Sequence, residues 1–351
     1  MSDLSTIVLV PCPLCGQAET FIDVDVPYED EHIANYANLY AGRSASEWKV
    51  CGRCGFVHQN PRPSAAALDA LYAAAKYRTN HRDPDVDEYQ RFAEWYFGPK
   101  VDYLSRVCGI HQGKVFEVGC GFGAALVAFR SRGWGCQGIE PDGYCAAYAR
   151  QKLGLSGVLT GLLRADFSLD QKVDVVFSNH AFEHFADLDA VMRAICAVLK
   201  PGGYLVTVVP TYRENRSNMS KRWMNSSHYS LFSHSSLNNL ASKYGFEPTA
   251  HTYRGWLTEI DEVWHCARFT GAVTAPALFF ESPHTVARYL KWINPARTLL
   301  SYPVFHDWNK RRDMFQLLRA GIRSFARSPG DFHRRVYARL RSMRRKRPAG
   351  E

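Results

Sequence analysis

From Lys114 to Val209 short apolar runs alternate with longer stretches whose apolar residues recur at helical spacing. The runs are rich in β-branched and aromatic residues and too short for helices, so they predict strands at 114–118, 135–140, 157–160, 173–178 and 204–209. Helices are predicted between them at 124–131, 144–152 and 188–199. Alternating strand and helix predicts an α/β fold, a parallel sheet covered by helices on both faces. In open sheets of this kind a ligand lies beyond the carboxyl ends of the strands, at the switch point. The stretch 119–123, Glu140 and the stretch 178–180 all fall at such ends.

Outside this region the pattern changes. Residues 23–48 are polar and aromatic, and Pro61 and Pro63 close a strand before Ser64, which can cap a helix over 65–76. The segment 77–98 mixes arginines with aromatics; Tyr89, Phe92 and Tyr96 at helical spacing predict a core face, and Tyr77 and Arg78 are candidate lid contacts. Past Thr270, Pro276, Pro283, Pro295 and Pro303 divide the chain into short pieces, followed by basic amphipathic patterns at 314–327 and 332–343. The expected organisation is an amino-terminal unit at 1–64, a helical linker or lid at 65–110, the α/β core at 111–270, a helical extension at 271–331 and a basic tail at 332–351.

With 351 residues, 46% of them apolar, the chain can bury a sizeable core in two or three units. Its net charge of +9 invites a nucleic-acid reading, but eight Arg or Lys and no acid lie within 332–347, leaving +1 for everything else. A basic amphipathic tail suits an anionic membrane surface, RNA or a partner subunit, and equally a place on its own domain. The body itself predicts a small-molecule acceptor over a nucleic acid, which stays a rival partner. No run reaches the roughly 20 apolar residues that a membrane span needs, and Met1 to Val10 has no basic start; a cytoplasmic location is expected.

Ten cysteines without a secretion signal predict thiols or metal ligands. Cys12 and Cys15 form one C-x2-C knuckle, Cys51 and Cys54 another, and a glycine follows each (Gly16, Gly55). Such a pair of knuckles can place four thiolates about 2.3 Å from one tetrahedral zinc, a closed structural site. Metal binding then stabilises a unit too small to fold on its apolar core alone.

The run V-F-E-V-G-C-G-F-G (115–123) sets three glycines at alternate positions directly after a strand, where backbone must approach a ligand closely. Seventeen residues on, Glu140 ends the next strand, where a carboxylate suits the two hydroxyls of a ribose. Gly119, Gly121 and Ala124 also satisfy a dinucleotide fingerprint. Glu117 argues against that reading, because an acid two residues before the first glycine suits an ammonium and repels a pyrophosphate.

Together with V-D-V-V-F-S-N-H-A-F-E-H (173–184) and L-K-P-G-G (199–203), these motifs resemble class I S-adenosylmethionine-dependent methyltransferases over about 111–270. With the cysteine knuckles and N-P-R-P (60–63), the chain looks like the zinc-ribbon methyltransferases related to sugar C-methyltransferases, over about 10–270. The resemblance implies a Rossmann-like class I methyltransferase sheet with an N-terminal zinc ribbon and a C-terminal helical extension, binding S-adenosylmethionine and a structural Zn2+. It implies that Glu117, Gly119, Cys120, Gly121 and Gly123 hold the methionine portion, that Glu140 clamps the ribose, and that Leu162 and Asn179 complete the pocket, with Asp166 an alternative to Leu162. The acceptor expected is a small hydroxylated molecule, such as a nucleotide- or lipid-linked sugar. His228 and His180 are the candidate proton acceptors, while Glu183 and His184 are expected to orient their loop. A ribosomal or transfer RNA methyltransferase and a non-catalytic cofactor-binding protein are the rival readings.

Overall fold

The computed structural model describes residues 7–24, 39–40, 46–73, 83–212, 223–256, 260–271 and 281–291. The expected lid contacts Tyr77 and Arg78, the end of the helix expected at 65–76, both basic amphipathic patterns and the tail lie outside the described residues.

The chain opens with β1 (Ile7–Val8), β2 (Phe21–Val24), β3 (Trp48–Cys51), β4 (Val57–Gln59) and β5 (Arg62–Pro63), and β1 pairs with β5. Helices α1 (Ala65–Ala73) and α2 (Val86–Cys108) follow. Asp85 starts α2 by accepting from the Glu88 amide, and Gly109, in the left-handed region at φ 67°, ends it.

The core then runs β6 (Lys114–Val118), α3 (Ala124–Arg130), β7 (Gly135–Glu140), α4 (Gly143–Gln151), β8 (Val158–Thr160), β9 (Val173–Asn179), α5 (Leu188–Val198) and β10 (Leu199–Pro210). After β11 (Ser230–Leu231) and α6 (His234–Lys243), a long hairpin, β12 (Phe246–Trp256) and β13 (Ile260–Phe269), completes the sheet, and α7 (Pro283–Lys291) follows. Among the described residues the main sheet has seven strands in the order β12-β13-β10-β9-β6-β7-β8. The five strands expected from the alternation pair in parallel, β10, β9, β6, β7 and β8, and the hairpin adds β13, antiparallel to both β10 and β12. The order reverses between β6 and β9, and the crevice above their carboxyl ends is the switch point.

Two apolar layers cover the sheet. One face buries Leu104 of α2, Leu126 and Phe129 of α3 and Ala149 of α4; the other buries Met192 and Ile195 of α5 and Leu237 and Leu240 of α6. The strands between carry near-continuous apolar runs because both faces are covered. No helix among the described residues is long and apolar enough to cross a membrane.

The amino-terminal sheet does not stand apart. Strand β11, from far along the chain, pairs antiparallel with β4 and gives the order β11-β4-β3-β2. Helix α7 packs on the same sheet, burying Val286, Ala287 and Leu290 against Val24, Trp48 and Val50. The cysteine-bearing unit, the segment after β10 and the start of the carboxyl-terminal extension therefore share one small core.

Candidate functional site

The glycine turn is built as its spacing requires. Gly119, Gly121 and Gly123 have φ of 73°, 52° and 89°, a region other residues enter at a cost. The amides of Gly119 and Cys120 both donate to the Ile139 carbonyl, tying the turn to β7. At Gly123 a Cβ would stand 2.5 Å from Leu155 Cδ1 and 3.3 Å from Ala149 Cβ. Gly123→Ala is therefore expected to destabilise the protein by about 2 kcal/mol, strain and overpacking together, read as a lower denaturant midpoint.

Glu140 is 3% exposed and closes the turn from the other side. Its Oε2 accepts from the Gly121 amide at 2.7 Å and its Oε1 from the Asp142 amide at 3.0 Å. Asp142 in turn caps α4, accepting from the amides of Tyr144 and Cys145. The acid expected at the ribose thus also holds the shape of the turn. Above it, Phe122 meets Tyr89, Tyr144 and Tyr148 edge to face, at centroid separations of 6.0, 6.2 and 5.0 Å. Tyr144 and Tyr148 reach Asp83 and the Pro84 carbonyl at the head of α2, so that helix roofs the turn.

Glu117 lies beneath the turn, 2% exposed, and among the described residues its Oε2 has no hydrogen-bond partner. Burial, with the Glu140 charge adding to it, pushes its carboxyl well above the ordinary range. An orphaned buried oxygen of this kind fits a ligand that brings a cation or a donor. Leu162 is half-buried just past β8, whereas Asp166, the alternative to it, is exposed in a turn. Leu162 also lines an open cleft with Leu163, Arg164, His184 and Phe185, together with Ala65 and Leu68 of the first helix. Cys120, within the turn, is 6% exposed in the apolar layer, and its amide donates to the Ile139 carbonyl.

At the end of β9, Asn179 and His180 turn into the crevice, His180 with a left-handed φ of 52°. Asn179 Oδ1 accepts from Lys100 Nζ at 2.7 Å. His180 Nε2 stands 2.8 Å from Glu262 Oε1. Glu262, on the hairpin, is a residue the sequence reading missed, and it gathers four partners. Tyr96 donates its hydroxyl to Oε1 at 2.7 Å, Trp264 its indole N–H to Oε2 at 2.8 Å, and Lys100 Nζ lies 3.3 Å from Oε2. Burial alone would raise the Glu262 carboxyl, but His180, Lys100 and Tyr96 outweigh it and hold the group at about 2. Lys100 is moved the other way, down to about 8, because burial costs its ammonium more than Glu262 returns. The Lys100 ammonium also sits 3.7 Å from the centre of the Tyr96 ring. A carboxylate fixed in its ionised form now orients His180. With Nε2–H donated to Glu262, Nδ1 is the nitrogen that carries the lone pair.

His228, 5% exposed, lies in the segment leading into β11, where Nδ1 meets the Trp223 carbonyl at 2.8 Å. Its ring packs edge to face on His184 with centroids 4.6 Å apart, and stacks on Trp223 at 5.6 Å. His184 Nδ1 lies 2.7 Å from the Ser227 carbonyl. The two candidate bases therefore stand in different settings, His180 against a carboxylate and His228 against another imidazole.

At the amino-terminal sheet, one ligand atom from each of Cys12, Cys15, Cys51 and Cys54 lies within 4.8 Å of the other three. Cys12 and Cys54 Sγ are 3.6 Å apart, as are Cys15 and Cys51 Sγ. Four sulfurs about 2.3 Å from a tetrahedral ion would be separated by about 3.8 Å, so the donor set fits zinc in both chemistry and size. The turns are set by Gly16 and Gly55 at φ 72° and 75°, whose amides donate to the Cys12 and Cys51 carbonyls at 2.9 Å. Crowding already divides the thiols: Cys12 chiefly drives Cys51 down and Cys54 up, and pulls Cys15 to about 7.

Residues 86–251, just under half of the chain, match the family model described as a methyltransferase domain. No curated protein matches the chain in sequence. Solved structures that resemble it include the 1,6-didemethyltoxoflavin-N1-methyltransferase of Burkholderia thailandensis, 16% identical over 61% of this chain and 96% of that one, with a TM-score of 0.46. The geranyl diphosphate C-methyltransferase of Streptomyces coelicolor A3(2) is 15% identical over 56% of this chain and 98% of that one, at 0.40. A SAM-dependent methyltransferase of Aquifex aeolicus is 16% identical over 53% of this chain and 100% of that one, at 0.39.

Proposed function

We propose that this chain, an S-adenosylmethionine-dependent methyltransferase through the domain at residues 86–251, methylates a hydroxyl of a small molecule, with a nucleotide- or lipid-linked sugar as the acceptor class. The observation that carries the hydroxyl reading is the His180–Glu262 pair at the mouth of the crevice. A hydroxyl must lose its proton as it takes the methyl group, and an imidazole oriented by an ionised carboxylate is built to receive one. The near-neutral body of the chain supports a small acceptor over a polyanion.

The sulfonium of S-adenosylmethionine supplies the methyl group. The chain's own residues bind and position: the 119–123 turn and Glu117 serve the methionine portion, Glu140 the ribose, Leu162 the adenine, and Asn179 the wall beside Lys100. His180 Nδ1 takes the acceptor proton while Glu262 steadies the resulting imidazolium. The remaining requirement is in-line approach at near-attack distance, which α2 assists by roofing the crevice. The four cysteines hold a structural zinc that fixes the sheet from which the 223–233 segment projects.

His180→Ala is expected to lower kcat by about 100-fold or more while changing the S-adenosylmethionine dissociation constant less than about twofold, as steady-state kinetics and calorimetry would read. Cofactor affinity lost together with kcat would place His180 in the cofactor pocket instead. Acceptor class is tested by incubating the protein with methyl-labelled S-adenosylmethionine and cell extract. Label in sugar nucleotides or lipid-linked sugars supports the proposal; label in RNA or protein overturns it.

A further inference from the structure

Three side chains beside the proposed base meet in a way the methyl transfer does not require. One ligand atom from each of Glu183, His184 and His228 lies within 4.8 Å of the other two. Glu183 is 1% exposed, and among the described residues neither carboxylate oxygen has a hydrogen-bond partner. His180 Nδ1 stands 3.9 Å from its Oε1, beyond hydrogen-bond reach. A buried carboxylate without donors is strongly disfavoured unless a cation answers it.

The two imidazoles are prepared for that cation. His184 Nδ1 is held by the Ser227 carbonyl at 2.7 Å and His228 Nδ1 by the Trp223 carbonyl at 2.8 Å. A ring whose Nδ1–H donates to a backbone carbonyl is fixed in the tautomer with its lone pair on Nε2, the arrangement outer-shell carbonyls impose on metal-binding histidines. The backbone around the cluster is tied down: Tyr229 N donates to the Glu183 carbonyl at 2.7 Å, and Gln59 Nε2, from β4, donates to the carbonyls of Asn225 and His228. His184 also lines the open cleft that Leu162 and Phe185 share.

We propose that Glu183, His184 and His228 form a second metal site, distinct from the four cysteines, that binds a first-row divalent cation and leaves coordination positions for oxygen atoms of the acceptor. Two imidazoles and one carboxylate suit Mn2+, Fe2+ or Zn2+, and three protein ligands leave the site open, unlike the closed cysteine centre. The cation's part is to hold the acceptor hydroxyl near His180 and make its proton easier to remove, the proton going to His180 Nδ1. His228 then serves as a ligand rather than as the base, so both candidate histidines belong to one acceptor site. This role rests on the hydroxyl-methylating reading above, but the metal site does not.

The test uses the full chain washed with EDTA, which strips an open site before a closed four-thiolate one, and titrates it with Mn2+ followed by electron paramagnetic resonance. Wild type is expected to take up one Mn2+ per chain; E183Q and H184A are expected to bind it at least about 100-fold more weakly. Calorimetry with S-adenosylhomocysteine, expected to be unchanged in both variants, shows that they are folded. Absence of Mn2+ uptake by the wild type, by direct titration and by competition with Zn2+, overturns the site, as does uptake by E183Q equal to wild type. If Mn2+ binds but no acceptor is ever methylated, the hydroxyl reading fails and the site stands. If methylation proceeds equally in the washed and reloaded protein, the acceptor role fails.

Discussion

Cys51→Ser is expected to abolish methyl transfer while leaving the cofactor crevice able to bind. The four sulfurs already stand at separations that fit a single tetrahedral ion, with Cys12–Cys54 and Cys15–Cys51 both at 3.6 Å. Removing one thiolate opens a closed site, and structural zinc contributes on the order of 10 kcal/mol or more to units that fold around it. That exceeds what a small sheet can recover by apolar burial. The loss would not stay local, because β4 carries β11 on its edge and Gln59 holds the Asn225 and His228 carbonyls. The acceptor segment should loosen with the ribbon, whereas the glycine turn, tied to β7, should not. Zinc content, limited proteolysis within 7–63, S-adenosylmethionine calorimetry and transfer assays read the four consequences. A variant that keeps wild-type activity and protease resistance would show that the cysteines do not hold the fold.

Glu262→Gln is expected to destabilise the protein by about 3 to 5 kcal/mol, the cost of leaving a buried charge without its partner. Lys100 is 2% exposed, and Glu262 is the carboxylate its ammonium faces at 3.3 Å. The pH dependence has a definite sign. The Glu262 carboxyl lies at about 2 against an ordinary 4.5, so its contribution is complete above about 4.5 and is lost as pH falls toward 2. Lys100 lies at about 8 against 10.5, so the folded state binds its proton less tightly, and stability rises as pH climbs between those values. Denaturant melts of wild type across pH should show both slopes, and Glu262→Gln should remove the acid one. A loss below about 1 kcal/mol would mean that Lys100 finds another counter-charge.

The same variant separates what the sequence makes legible from what it does not. Strands at 114–118 and 135–140 are predicted and found with the same limits, because Gly119 directly follows the first and Glu140, with Pro141 after it, closes the second. The glycine turn and Glu140 could be read because spacing alone dictates their geometry. The hairpin could not: Pro248 and Gly255 interrupt β12, and Asp261 and Glu262 open β13 with acids where a buried strand would carry apolar residues. Glu262 therefore has no sequence signature of its function; it reaches His180 because β13 pairs with β10 in a register that sets Glu262 opposite Pro210. The available signal was an acid pair, Asp261 and Glu262, directly before the apolar Val263 and Trp264. For β10, the strand was expected from Tyr204 but starts at Leu199, with a register irregularity between the two where Pro201, Gly202 and Gly203 intervene.

The cofactor crevice is tested most directly by calorimetric titration of S-adenosylmethionine into wild type and Glu140→Ala. Glu140 accepts from Gly121 and Asp142 and is assigned the ribose as well, so its loss removes charge-assisted hydrogen bonds worth about 3 kcal/mol in all. The account predicts saturable one-to-one binding to wild type and an affinity about 100-fold weaker in the variant. Equal affinity in the two proteins, or a wild type that binds a nicotinamide dinucleotide and not the sulfonium nucleoside, would contradict it.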